Sequence, residues 1–295
     1  MSIGRVTHGS MTLSSLNNLQ ASLGRLAQSQ EQLTTGKRIN RASDDPTDAA
    51  RAMRTRSSLA DHEQYARNGA DGATWLNLTD SRLQSMNDSL RRVHELGLIG
   101  GTDTNVGAAR EALAVEVEQL RDKLLTEANA TYLGRPIFGG ITSGDKAFAD
   151  DGTFVGTSGD VQRTVADGVD VVINSDGQAL FGSGATSMFA ELDALANAIR
   201  AGDKVAIKAG IDQVAVRSGK VVDELSSVGT RTNRVEAAVV AAKDSVLALN
   251  SSVSELENVE LAEAMMQVQM HQVSYQAALA GTSKVIQPSL MDFLR

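Results

Sequence analysis

The sequence predicts a mainly α protein: an elongated antiparallel coiled-coil rod of long helices, with a small β-rich inserted domain and terminal helices that order on assembly. Three features point to it. Fifteen positions from Ile207 to Leu256 keep an unbroken spacing of threes and fours, beginning Ile207, Ile211, Val214, Ser218, Val221 and Leu225. All but Ser218 and Thr232 are apolar, where a hydrophobic content of 42% would give about six. Both chain ends repeat that spacing, as Leu16, Leu19, Leu23, Leu26, Gln30 and Leu33 at one and Leu261, Met265, Val268, Gln272, Tyr275 and Leu279 at the other. Nothing local covers either seam, so the two read as halves of one coiled-coil element. Between Gly134 and about Gly184 the composition turns to Gly, Asp and Thr, which breaks the helical pattern.

A chain of 295 residues has room for one large domain or two ordinary ones. Aromatics make up 3% and there are three prolines, a balance that favours long helices over a wide globular core. The net charge of -8 and pI near 5.1 argue against nucleic acid or an anionic membrane as partner. Charge is unevenly spread. Residues 1–60 carry eight Lys and Arg against four Asp and Glu, and residues 221–295 carry five against nine, opposite signs that suit paired termini and equally suit two solvated faces. There is no cysteine, which excludes disulfides, thiolate metal sites and a Cys nucleophile. The start MSIGRVTHGSMTLSSLNNLQ has no apolar run of the kind a cleaved secretion signal needs, and no stretch approaches a membrane span. A soluble protein is expected, and one that leaves the cell by another route if it leaves at all.

Taken in order, the N-terminal seam should stop at Gly36 in a left-handed cap, followed by the polar connector Lys37 to Ala42. Ser43-Asp44-Asp45-Pro46 reads as a helix start, so the paired aspartates are caps before they are ligands. The second helix runs to about Gly97 on the three-four spacing of Tyr65, Gly69, Gly72, Leu76, Thr79, Leu83, Met86, Leu90 and Val93, its two seam glycines implying close helix approach or simply a weak stretch. Val106, Leu113, Val117, Leu120 and Leu124 mark a third helix that folds back on the second. In the insertion, Val169, Val171 and Ile173 alternate between turn signals at Asp167-Gly168 and Asp176-Gly177. Phe189, Leu192, Leu195 and Ile199 restore a short helix that Gly202 ends, with Asp203 as the next N-cap. The long heptad run would then span roughly 75 Å at ~1.5 Å per residue. Breaks are expected near Gly210, Gly219 or Gly229, and the slip from Leu256 to Leu261 suits a hinge. The expected division is an assembly helix at 1–43, rod at 44–133, outer domain at 134–186, rod again at 187–256 and a second assembly helix at 257–295.

Catalytic constellations are missing. His8, His62, His94 and His271 are scattered and none stands three residues after a Glu. Glu255, Glu257, Glu260 and Glu263 face several directions on a helix and read as a solvated acidic face. GGITSGDK and GSGATS each miss the phosphate-binding patterns they approach. Met265, Met266 and Met270 read as adaptable interface as readily as core. No catalytic, cofactor-binding or metal residue is assigned. The candidate site is the assembly seam itself: Leu16, Leu19, Leu23, Leu26 and Leu33 with Leu261, Met265, Val268, Tyr275 and Leu279.

Several blocks resemble the flagellin superfamily. They are SLGRLAQSQEQLTTGKRINRASDDP at 22–46, EQYARNGADGATWLNLTD at 63–80, LGRPIFGG at 133–140, VGTRTNRVEAA at 228–238 and the stretch from Leu256 to Leu294. Trp75-Leu76 with Thr79-Asp80, and the GRPIFGG block, lean toward the branch that joins hook to filament rather than toward flagellin. The resemblance implies a structural subunit of the bacterial flagellum, extracellular and exported through the type III channel without a cleaved signal. It also implies self-assembly into a ring, contact with the other hook-filament junction protein and with flagellin, and an export chaperone over roughly residues 256–295. A minor flagellin remains the alternative within the family. From the residues alone, an intracellular signalling coiled coil and a helical-bundle enzyme stay open.

Overall fold

The computed structural model describes residues 8–102 and 107–286. Val106 and the break at Asp103-Thr104-Asn105 lie outside the described residues, as does everything before His8 and after Ile286. Seven α-helices are described: α1 His8–Thr35, α2 Pro46–Gly100, α3 Ala108–Ala128, α4 Gly177–Phe181, α5 Met188–Ala201, α6 Lys204–Glu257 and α7 Leu261–Ile286. Two antiparallel hairpins, β1 Thr131–Tyr132 with β2 Arg135–Pro136 and β3 Gln162–Ala166 with β4 Val169–Val172, and a 3-10 turn at Gly184–Thr186 are also described. Contacts gather these elements into two units. Unit 1 takes the residues up to Ala60 and from Val246 onward; unit 2 is Asp61–Ser245.

Unit 2 holds the large core. The heptad positions of α6 in this unit, from Ile207 to Ala242, are all buried or half-buried, and Val214, Val221, Val228 and Val235 are almost fully so. On α2, Leu76, Leu83, Met86, Leu90 and Val93 reach zero exposure on the spacing read from sequence. The seam glycines make room for this packing. A Cβ on Gly69 would lie 2.5 Å from Val239 Cγ2, and one on Gly72 would lie 3.2 Å from Ile173 Cγ2. Gly97 does the same against Ile211, at 2.7 Å. α3 packs on α5, and Arg92 of α2 reaches Glu116 of α3 at 2.8 Å. α5 ends in Gly202 with left-handed dihedrals, and Asp203 accepts hydrogen bonds from Val205 and Ala206 to start α6, as the sequence signals predict.

Three expectations need correction. First, α6 runs unbroken through Gly210, Gly219 and Gly229, because continuous burial of its heptad face outweighs about 1 kcal/mol per glycine. Second, Asp176-Gly177 is a helix start and not a turn: the Asp176 carboxylate accepts from the amides of Gln178 and Ala179 and opens α4. Third, the insertion is thinner in strand than its alternation suggests and is held by aromatic packing. Phe148 stands edge-on to Phe154, Phe181 and Phe189, with ring centroids 5.3 to 5.8 Å apart. The described phenylalanines, Phe138, Phe148, Phe154, Phe181 and Phe189, thus gather where the long helices give out. Arg231 of α6 fastens the end of β4, donating to the carbonyl of Asn174 at 2.6 Å and pairing with Glu224. The predicted turn at Asp167-Gly168 is the tip of the β3–β4 hairpin.

Candidate assembly surface

The surface is built in unit 1, from the connectors outward. Gly36 takes φ 69°, its amide bonding back to Gln32 at 2.9 Å, which ends α1 as a left-handed cap should. Asp44 accepts from the amides of Asn40 and Arg41 and so closes the connector, whereas Asp45 accepts from Thr47 and Asp48 and caps α2 ahead of Pro46. The Asp48 amide, with the Arg38 guanidinium beside it, holds the Asp45 carboxyl below the usual carboxylate range. Asp48 in turn raises Arg38 further above its ordinary value.

The two connectors are stitched together. The Val259 amide donates to Gly36 O at 3.0 Å, and the Arg38 amide donates to Glu257 O at 2.6 Å. Arg38 also donates to Leu256 O at 2.9 Å while holding Asp48 at 2.7 Å. Glu257 is buried and receives both Arg56 and Lys37, the latter at 3.6 Å. It therefore departs from the solvated acidic face expected for the Glu255 group; Glu255, Glu260 and Glu263 are exposed. Here the basic N-terminal stretch meets the acidic C-terminal one through named side chains.

Because the stitch joins the end of α1 to the start of α7, the two helices pack on each other antiparallel. The faces they bring together are specific. On α1 the buried or half-buried positions include Ser15, Leu19, Ser22, Leu26, Ser29 and Leu33; on α7 they include Ala264, Val268, His271, Tyr275, Ala278 and Thr282. Both sets step by four and three. On α1 serine alternates with leucine, so its small positions leave room for bulk from α7. Ser29 satisfies its hydroxyl on its own helix, at Arg25 O 3.0 Å away.

The ten seam residues divide accordingly. Leu19, Leu26, Leu33, Val268 and Tyr275 lie on the covered faces. Leu16, Leu23, Leu261, Met265 and Leu279 are exposed, by 41% to 59%. Leu23 and Leu26 sit three residues apart, yet one is 48% exposed and the other 8%. The leucine stripe is wider than one partner helix covers, and sequence spacing alone could not tell its two edges apart. The serines at 15, 22 and 29 were the signal missed: a heptad of small polar residues marks close approach as much as a heptad of leucines marks burial. Among the described residues no group of His, Asp or Glu is placed to hold a metal ion, and no helix is long and apolar enough to cross a membrane.

Residues 6–143 match the bacterial flagellin N-terminal helical region, and residues 211–294 match the bacterial flagellin C-terminal helical region. The chain is 26% identical over 273 residues to the flagellar hook-associated protein 3 of Escherichia coli strain K12, which spans 84% of this chain and 86% of that protein. Against the phase 1 flagellin of Salmonella naestved it is 31% identical over 126 residues, covering 43% of this chain and 25% of the flagellin. The crystal structure of Bacillus cereus FlgL superimposes with a TM-score of 0.61 at 26% identity, over 68% of this chain and 99% of that one.

Proposed function

The chain belongs to the flagellin family, and from that premise we propose that it is the structural subunit of the flagellum that joins hook to filament. The observation that carries this reading over a filament-subunit role is extent. Similarity to the hook-associated protein runs along most of both chains, whereas similarity to flagellin covers a quarter of that longer protein. The geometry supports a structural role, since the edge left open on α1 and α7 of unit 1 is apolar and helical.

In this reading the covered faces of α1 and α7 hold the subunit's own termini together. The exposed edge, Leu16 and Leu23 on α1 with Leu261, Met265 and Leu279 on α7, is buried by neighbours when copies close into a ring. One side of the ring meets the other hook-filament junction protein and the opposite side meets flagellin. Before export, a chaperone covers α7 and keeps its apolar edge from premature association, and the chain leaves by the flagellar route without a cleaved signal.

Deleting the gene tests the reading. Finished hooks without filaments, with flagellin shed into the medium, are expected under electron microscopy and an assay of the supernatant. Unaltered filaments would overturn the proposal, and loss of the filament with no flagellin shed would make the chain a filament subunit. At residue level, Leu23→Asp should fold and yet fail to incorporate, because Leu23 is exposed in the subunit and a charge there meets a dry neighbour. Normal incorporation of that variant would remove the exposed edge from the assembly.

A further inference from the structure

The chain has no cysteine, so methionine is its only sulfur, and the described methionines are sorted by unit. Met86 and Met188, both in unit 2, are 0% and 1% exposed. Met11, Met53, Met265, Met266 and Met270, all in unit 1, are between 50% and 64% exposed. Three of these crowd one stretch of α7, where Met266, Met270 and Val273 step by four and three along an exposed stripe beside Met265. Among the described methionines those of unit 2 are sealed in a packed core and those of unit 1 stand in solvent, Met265 at the edge of the face that α1 covers and Met266 and Met270 on the far side of α7.

We propose that Met265, Met266 and Met270 form an oxidation site for hydroperoxides, whose conversion to sulfoxides withdraws the subunit from assembly while unit 2 stays folded. This rests on the assembly role given to unit 1. The step balances without a further reactant. The thioether sulfur attacks the outer peroxide oxygen, the O–O bond breaks as the S–O bond forms, and the leaving oxygen takes a proton to depart as water or an alcohol. Sulfur loses two electrons and the peroxide gains them. A flexible apolar side chain becomes a strongly polar one, which must either stay hydrated or enter an apolar interface without a hydrogen-bond partner. Met86 and Met188 are out of reach unless unit 2 opens, so oxidation strikes the exposed side of α7, at Met265 within the proposed assembly edge and at Met266 and Met270 beside it, and spares the fold of unit 2.

Graded hydrogen peroxide applied to the purified chain, followed by peptide mass spectrometry, reads each methionine separately. Met265, Met266 and Met270 should oxidise on the order of tenfold faster than Met86 and Met188, with the thermal unfolding of unit 2 unchanged. A half-oxidised pool is then offered to purified hooks, and the incorporated and free fractions are compared site by site. Sulfoxide at the three α7 positions should be enriched several-fold in the free fraction, and a Met→Leu replacement of all three should enter equally well before and after peroxide. Equal sulfoxide in both fractions, with untreated chain entering normally, overturns this inference alone; so does oxidation of Met86 or Met188 at the same rate. Failure of the untreated chain to enter would overturn the assembly reading and this inference with it.

Discussion

Asp45 uses its two carboxylate oxygens for two purposes. Oδ1 takes the first amides of α2, and Oδ2 faces Arg38 at 3.3 Å, so one residue both starts the helix and fixes the arginine that stitches the connectors. A carboxyl held below its ordinary value stabilises the fold fully above its unfolded pKa of about 3.9, and that contribution is lost as pH falls through the lower folded value. Acid should therefore loosen the connector below about pH 4. Glu111, held down by Arg200, and Asp151, held down by the Thr153 amide, lose stability in the same direction. Wild type thus needs a reference that shares those two. Asp45→Asn keeps an acceptor for the helix amides but has no charge to lose. The difference between the two melting curves, taken from about pH 6 to about pH 3, should shrink as pH falls. A constant difference would mean that the Asp45 charge contributes nothing to the connector.

Among the elements, α6 shows what local sequence resolves and what it does not. Its heptad face was legible because one pattern, repeated from Ile207 to Leu256, overwhelms chance, and its ends were legible because Asp203 and the slip after Leu256 are local signals. Gly36, Asp45 and Gly202 were readable for the same reason: a cap is decided by the residue that makes it. The expected breaks at glycines were misplaced because helix continuity is set by what the opposite face buries. The β1–β2 hairpin was overlooked because its tip places Leu133 at φ 48°, a conformation leucine rarely signals. The split of the α1 leucines was hidden because it depends on which face a distant helix brings. Within α6, Gly219 and Gly229 are instructive, since a Cβ on either would meet nothing within 4 Å. No packing requires them, so Gly219→Ala and Gly229→Ala should each stabilise the protein by about 1 kcal/mol in denaturant melts. A loss of stability from either would show a steric role for the bare backbone in the isolated chain.

For the whole molecule, the consequence lies in how unequally burial is shared. The connected core runs from Trp75 to Val235 and belongs wholly to unit 2. Among the described residues, unit 1 buries Leu26, Ala49, Ala52 and Ala264 as its apolar side chains, with Leu19, Leu33, Val268 and Tyr275 half-covered. Most of the stability of a helix in a protein comes from packing of its apolar face rather than from propensity. What holds the pair is therefore their contact and the stitch at Gly36 and Val259. The free energy of opening should accordingly step down from unit 2 to unit 1. In amide exchange on the unassembled chain, α1 and α7 should exchange through low-energy local opening, while residues 61–100 of α2 and 204–245 of α6 exchange only through unfolding of unit 2. Incorporation should raise protection of α1 and α7 sharply, because neighbours then bury Leu16, Leu23 and Met265. Protection of α1 and α7 equal to that of α6 in the free subunit would mean that the termini are stable without partners, and the exposed leucine edge would have no ordering step left to drive.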